Sequence, residues 1–239
     1  MLITTRSHST GNEGMLFDGD LFLRALTTPA LLRGAGVALV LSILVQIASF
    51  VACLPVALSL GASNPGRRAL ANVYVWVFRA APLLLVLLIV WNGVPQLFPS
   101  LMRSSWFSPF FGAFLAMGFV TTAYMAEIMR GAFLAIDTGQ SDAALALGLR
   151  PLKVFALIIL PQAMRIALPA LVNEFINLVK LTSLAYVISL REIMAVVNDA
   201  IANSFRFVEW YSAALIYYLV IVSLLMIVQA RVERRFRSW

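Results

Sequence analysis

The sequence predicts an all-α protein that crosses a membrane about five times, and three observations carry that prediction. Of 239 residues, 62% are hydrophobic and only 12% charged, whereas a soluble domain holds roughly 45–50% apolar and about 25% charged residues. Mean hydropathy is +0.91, an excess that no soluble fold of this size could hide, because surface must grow with volume. The apolar residues are also gathered into runs close to the ~20 residues that a spanning helix needs. A soluble enzyme, a disordered chain and a disulfide-stapled secreted domain are excluded.

Taken in order, residues 1–33 read as a polar N-terminal tail, rich in Ser, Thr and Gly at first. They lack the basic-then-apolar layout of a cleaved signal peptide. Residues 34–239 then form the membrane domain. Gly34 to Leu60 is the first span, and Ala80 to Met102 the second, extending back towards Ala71. Ser104 to Ala126 is the third, with its helix starting near Pro109; Trp210 to Arg231 encloses the last. Between these, Ile166 to Leu190 is a further span interrupted by Glu174 and Lys180. A charge at a helix centre costs roughly 2.5–3.5 kcal/mol on insertion scales, so the interruption asks for an explanation. Pro55, Pro82, Pro161 and Pro169 kink or end helices, which membrane helices tolerate. Trp76, Trp106 and Trp210 fall near span ends and read as interface anchors.

An odd number of spans puts the two termini on opposite sides. Eleven basic residues (Arg67, Arg68, Arg79, Arg130, Arg150, Lys153, Arg165, Arg231, Arg234, Arg235 and Arg237) fall on one side. Six (Arg6, Arg24, Arg33, Arg103, Arg191 and Arg206) fall on the other. The positive-inside rule then favours an N-terminus outside and a C-terminus in the cytoplasm. It also accounts for the net charge of +7 more simply than nucleic-acid binding does. Cys53 is the only cysteine and His8 the only histidine, which leaves no Cys/His set for a metal and no Ser-His-Asp constellation.

The loop between the third and fourth spans, about residues 137–161, has its own helix chemistry. Asp137 can cap a helix, with Gln140 completing a capping-box arrangement. Ala143, Ala144, Leu145, Ala146 and Leu147 form helix readily. Gly148 suits the left-handed residue that closes a helix, and Pro151 suits the first turn of the next. The expectation is two short helices joined at Gly148 beneath the membrane, either as a plain connector or as a docking surface.

Asp142-Ala143-Ala144, Gly148 and Ile158-x-Leu160-Pro161 resemble the EAA loop of permease subunits in ATP-binding-cassette importers, E-A-A-x3-G-x9-I-x-L-P. The spacing matches throughout, with Asp142 in place of the usual glutamate. Ala123-Tyr124-Met125-Ala126-Glu127-Ile128-Met129-Arg130-Gly131 resembles the A-Y-x-A-E-I-x-R-G segment of polar amino-acid permeases, the histidine, glutamine and opine class. Gly139-Gln140, Leu160-Pro161-Gln162-Ala163, Asn173-x3-Asn177 and Lys180-Leu181-Thr182-Ser183-Leu184 fit the same class, although an acidic residue commonly stands where Leu181 is. Arg79-Ala80-Ala81-Pro82-Leu83 is similar to the class's R-G-T-P-L with Gly-Thr lost.

The resemblance implies a type I importer permease fold with about five transmembrane helices and a cytoplasmic coupling-helix loop, in a bacterial inner membrane. It implies a second permease subunit, identical or homologous, ABC ATPase subunits, and an extracytoplasmic binding protein that delivers a polar amino acid or derivative. The chain itself would be no enzyme and bind no cofactor; ATP and Mg would sit on the ATPase. Lys153 and Lys180 follow Leu152 and Val179, so no G-K of a phosphate-binding loop is present. Gly139, Gln140, Asp142, Ala143, Ala144, Gly148 and Pro161 would form the ATPase-coupling loop. Glu127 and Arg130, three residues apart, can pair on one helix face; with Arg79 they form either a gate or an interfacial anchor. Asn173, Asn177 and Lys180 share a face, with Glu174 about 100° away. Together with Thr182 and Ser183 they either line the translocation path or hold the bundle together by hydrogen bonds. The alternative function is a self-contained secondary carrier or channel, for which internal repeats are the usual mark; no convincing repeat is found. A membrane enzyme would need convergent nucleophiles, bases or metal ligands, and none appears.

Overall fold

A computed structural model describes residues 17–236; Ser7 and His8, in the N-terminal tail, and Arg237 lie outside the described residues. Among the described residues every regular element is helical. Four continuous stretches are long and apolar enough to cross a membrane: Pro29–Leu60, Pro109–Leu134, Pro151–Ile188 and Phe207–Arg231. Pro65–Ala80 and Leu83–Leu97, a pair bent by 104°, bring the number to five when counted as one broken span.

In chain order, α1 (Gly19–Leu26) leads into α2 (Pro29–Leu60). The bent pair follows as α3 (Pro65–Ala80), α4 (Leu83–Leu88), a π-helical turn (Ile89–Gly93) and α5 (Val94–Leu97). The long α6 (Pro109–Leu134) precedes α7 (Thr138–Ala146) and α8 (Pro151–Val154). A second π-helical turn (Phe155–Ile159) joins α8 to α9 (Leu160–Leu181), which tightens into a 3-10 helix at Thr182–Ile188. The chain closes with α10 (Ile193–Ser204) and α11 (Phe207–Phe236).

Proline explains most departures from straight spans. Ala81, before Pro82, is extended (φ −73°, ψ 131°), as expected for a residue that proline's ring keeps out of the helical region. The expected second span, Ala80 to Met102, is therefore broken at its start, and Arg79 lies at the elbow. Each π-helical turn ends two residues before a proline, Pro95 and Pro161. A proline has no N–H for the carbonyl four residues back, and a widened turn accommodates the missing rung.

The centre of the bundle is the pairing of α2 with α6. Ala38, Ser42, Ser49 and Ala57 on α2 and Ala113, Ala116, Ala123 and Ala126 on α6 are all buried. Small residues let the two backbones approach closely where lipid offers no hydrophobic drive. One apolar cluster joins Leu41, Val45 and Met117 to Leu87, Leu178 and Ile188. Another joins Cys53, Ala57, Met125 and Met129 to Ala163 and Ala167 of α9.

Packing begins before Gly34, the start expected for the membrane domain. Asp18 caps α1 through Leu21 N–H (2.9 Å), and Ala25 is buried with Ala213 and Ala214 of α11. The Tyr217 hydroxyl donates to Leu26 O (2.8 Å). Glu192, fully buried, caps α10 by accepting from Ala195 N–H (3.0 Å) and accepts a second bond from the Tyr218 hydroxyl (2.8 Å). Gly34 lies directly against this cap: a Cβ there would sit 2.8 Å from Glu192 C and Ile193 N. Gly34→Ala should therefore destabilise the detergent-purified protein by about 1–3 kcal/mol, through overpacking against backbone. Gly36→Ala, where a Cβ meets nothing within 4 Å, should be neutral or slightly stabilising. Thermal unfolding of the two variants side by side checks the contrast.

Candidate functional site

The elbow between α3 and α4 opens a cavity of about 680 Å³. Its walls come from the elbow itself (Arg79 to Leu83), from Met117, Val120, Thr121 and Tyr124 of α6, and from Glu174, Asn177, Leu178, Lys180 and Leu181 of α9. The α6 contributors occupy the middle turns of a helix running from Pro109 to Leu134, so the cavity lies beside the middle of α6. Pockets for small solutes span roughly 300–1,000 Å³.

Arg79 is held at the edge of the cavity from two sides. Its guanidinium lies over the Tyr124 ring, 5.4 Å from the centroid, while the Tyr124 hydroxyl donates to Arg79 O (3.4 Å). Arg79 Nη1 is also 3.8 Å from Glu127 Oε2. Glu127 is already held by Arg130, whose Nη2 and Nε donate to its carboxylate at 2.8 and 3.2 Å. Arg79, Glu127 and Arg130 thus come together in three dimensions, with Arg79 facing the cavity and the other two behind it.

On α9 the polar face is rotated from the expected one. Glu174, Asn177, Leu178 and Leu181 stand at i, i+3, i+4 and i+7 and line the cavity. Lys180 joins them from the helix end. Asn173 is exposed and outside the lining. Thr182 and Ser183 bond the backbone where α9 narrows into its 3-10 continuation. Thr182 Oγ1 donates to Val179 O (2.7 Å), and Ser183 Oγ donates to Lys180 O (2.8 Å). These hydroxyls satisfy carbonyls at the change of helix type, and neither residue lines the cavity. Glu174 is the lining residue that sequence reasoning set aside; its signal was a carboxylate inside an apolar run.

The loop expected to couple to an ATPase, about residues 137–161, forms a helix and a hinge. Asp137 Oδ1 accepts from Gly139 N–H (2.6 Å), so the Asp137 side chain caps α7. Gly148 is left-handed (φ +80°), and the exit is a Schellman arrangement: Gly148 N–H donates to Leu145 O (2.9 Å) and Leu149 N–H to Ala144 O (3.2 Å). Gln140, Asp142 and Ala143 are exposed, whereas Ala144 is buried within the chain itself. The expected second short helix is not separate, because α8 runs through the π-helical turn into α9. Exposed Pro161 stands just inside α9. Leu147 and Leu152, 84% and 78% exposed, flank the hinge. Sequence reasoning passed over both, although large apolar residues in a loop were the available signal. Among the described residues there is no group of three His, Cys, Asp or Glu side chains able to hold a metal.

Replacing Glu127 by Gln should remove the shared partner of Arg79 and Arg130. The site is partly exposed, with Glu127's side chain at 22%, so the loss of stability should be about 1 kcal/mol or less. Thermal unfolding in detergent measures it, and a loss as large as that expected for Gly34→Ala would contradict the partly solvated arrangement.

A family model described as "Binding-protein-dependent transport system inner membrane component" matches residues 53–238. The chain is 41% identical over 156 residues to the probable amino-acid ABC transporter permease protein PatM of Vibrio harveyi, covering 65% of this chain and 69% of that protein. It is 32% identical over 206 residues to the probable amino-acid permease protein YxeN of Bacillus subtilis, covering 86% and 91%. Among solved structures, an amino acid ABC transporter with histidines superposes with a TM-score of 0.80 at 29% identity, covering 92% of this chain and all of that one. The inward-facing MetNI methionine ABC transporter shares the fold, with a TM-score of 0.73 at 19% identity over 87% of this chain and 96% of that one. The chain belongs to the family of binding-protein-dependent transport system inner membrane components, and its helices adopt the fold of ABC-importer permeases.

Proposed function

We propose that this chain is the permease subunit that forms the translocation path for a polar amino acid or derivative in an importer of the bacterial inner membrane. One observation carries the mechanism: the exposed α7 hinge packs at the base of the same continuous helical stretch, α8 to α9, that brings Glu174, Asn177 and Lys180 to the cavity. A push on α7 is delivered along a rigid helix to the walls of the path. ATP and Mg act on a partner ATPase that docks on Asp142, Ala143 and the hinge leucines. A second permease subunit completes the path, and a binding protein loads it from outside. The relatives are named as amino-acid permeases, which supports the solute class.

Gly148→Val tests the hinge. Cβ at φ +80° meets no neighbour, so the cost is purely conformational, roughly 1 kcal/mol or more. Gly148→Val, and more weakly Asp142→Lys, should lower co-purification of the ATPase and solute uptake in parallel, with normal permease abundance. Normal docking and uptake in both variants would reduce the loop to a connector.

Cysteine labelling tests the path and the orientation. In a Cys53→Ser background, cysteines at Asn177 and Lys180 should react with water-soluble thiol reagents, while cysteine at Val179, buried and outside the lining, should react slowly. Cysteine at Ser7 should label from outside in intact cells, in keeping with an external N-terminus and a cytoplasmic C-terminus. Labelling there only after permeabilisation would reverse the orientation.

A further inference from the structure

The cavity carries an imbalance of charge. Its lining includes two cations, Arg79 and Lys180, and one carboxylate, Glu174. Glu127 does not neutralise Arg79, because Arg130 already engages that carboxylate at 2.8 Å while Arg79 stands off at 3.8 Å. The Arg79–Glu127–Arg130 group therefore carries one net positive charge. Glu174 and Lys180 make no ion pair among the described residues. Counting all five groups, the site holds three cations and two carboxylates, a surplus of one positive charge.

Resting on the proposed function, we infer that this cavity takes an amino acid whose side chain bears a second carboxylate. The α-ammonium of such a solute meets Glu174, and its two carboxylates meet Arg79 and Lys180, so each lining charge gains an opposite partner. A neutral amino acid leaves one cation without a counter-charge. A basic amino acid brings two cations and one carboxylate to a lining that already holds two cations and one carboxylate, and like charges at close range are disfavoured. The remaining walls, with Pro82, Leu83, Met117, Val120, Leu178 and Leu181 among them, suit the short methylene chain that joins the charged ends.

The test is equilibrium binding of radiolabelled L-glutamate to the intact permease–ATPase complex in nanodiscs, without the binding protein. L-aspartate, L-glutamine and L-arginine serve as competitors. Glutamate and aspartate should compete at least about tenfold better than glutamine or arginine, the scale expected when a site built for a polar group meets a solute lacking it. Lys180→Gln should weaken glutamate about tenfold and abolish its advantage over glutamine, while Lys180→Arg should retain both. Lys180→Glu should turn the preference towards arginine. Size-exclusion profiles and ATPase association are read in the same preparations. Arginine or glutamine binding as tightly as glutamate, an unaltered preference in Lys180→Gln, or no glutamate binding in the millimolar range would each overturn the inference. Absence of the ATPase from the purified complex would instead overturn the proposed function on which it rests.

Discussion

Pro82 has no amide hydrogen and holds Ala81 in extended backbone, so α3 cannot continue into α4, and the chain turns by 104° inside the bundle. A straight helix would have filled the space beside α6. The elbow instead keeps Arg79 level with Tyr124 and leaves room between the middles of α6 and α9. Everything polar in the cavity is positioned relative to that break: Tyr124 binds the elbow's own carbonyl, Glu127 approaches its guanidinium, and α9 supplies the opposite wall. The backbone groups freed at the elbow open onto a cavity, where non-helical backbone is tolerated at membrane depth.

The legible parts of the fold were those that depend on local chemistry. Apolar run lengths located α2, α6 and α11, and Gly148 announced its left-handed turn because few other residues reach that conformation cheaply. The elbow was missed because hydropathy is blind to direction: Ala80 to Leu88 is as apolar bent as straight, and proline in a membrane helix signals anything from a mild kink to a full break. Asn173 was preferred to Glu174 because residues at i, i+4 and i+7 form a stripe on paper. The actual face is set by which side of α9 the small residues Ala163 and Ala167 bury against Met129. Thr182 and Ser183 were read as path residues because hydroxyls in a span look functional. The change from α to 3-10 geometry, which gives those hydroxyls backbone work, leaves no sequence signal of its own. α1 was hidden because its eight residues are too short to register as a span, and its docking relies on contacts nearly two hundred residues away in sequence.

The buried acids separate the parts of the molecule that must stay fixed from those free to meet a solute. Glu192 is enclosed, bonded to Ala195 N–H and Tyr218, and pressed by Gly34. It fixes the start of α10 against α2 and α11. Glu209 is likewise buried, accepting from Asp18 N–H (2.9 Å) and lying 3.1 Å from Arg206, which ties the entry of α1 to the foot of α11. Glu127 is shared by two arginines. In each of these three the carboxylate has found partners inside the fold, and for the enclosed Glu192 and Glu209 those partners offset the cost of burial.

Glu174 and Lys180 differ from that group, since no ion partner within the described chain reaches either. Glu174 is partly buried and Lys180 is exposed at the cavity, so both charges are open to a partner from outside the chain. Such a partner need be present only for part of the time. A permeating solute fits that description, and a site that binds too well cannot release. Partial satisfaction is then the condition for transport: the charges are close enough to α6 and the elbow to be positioned, yet free enough to exchange partners as α9 moves. The same helix that carries them leads back to the hinge at Gly148, so under the proposed function the element that recognises the solute is also the one that receives the force.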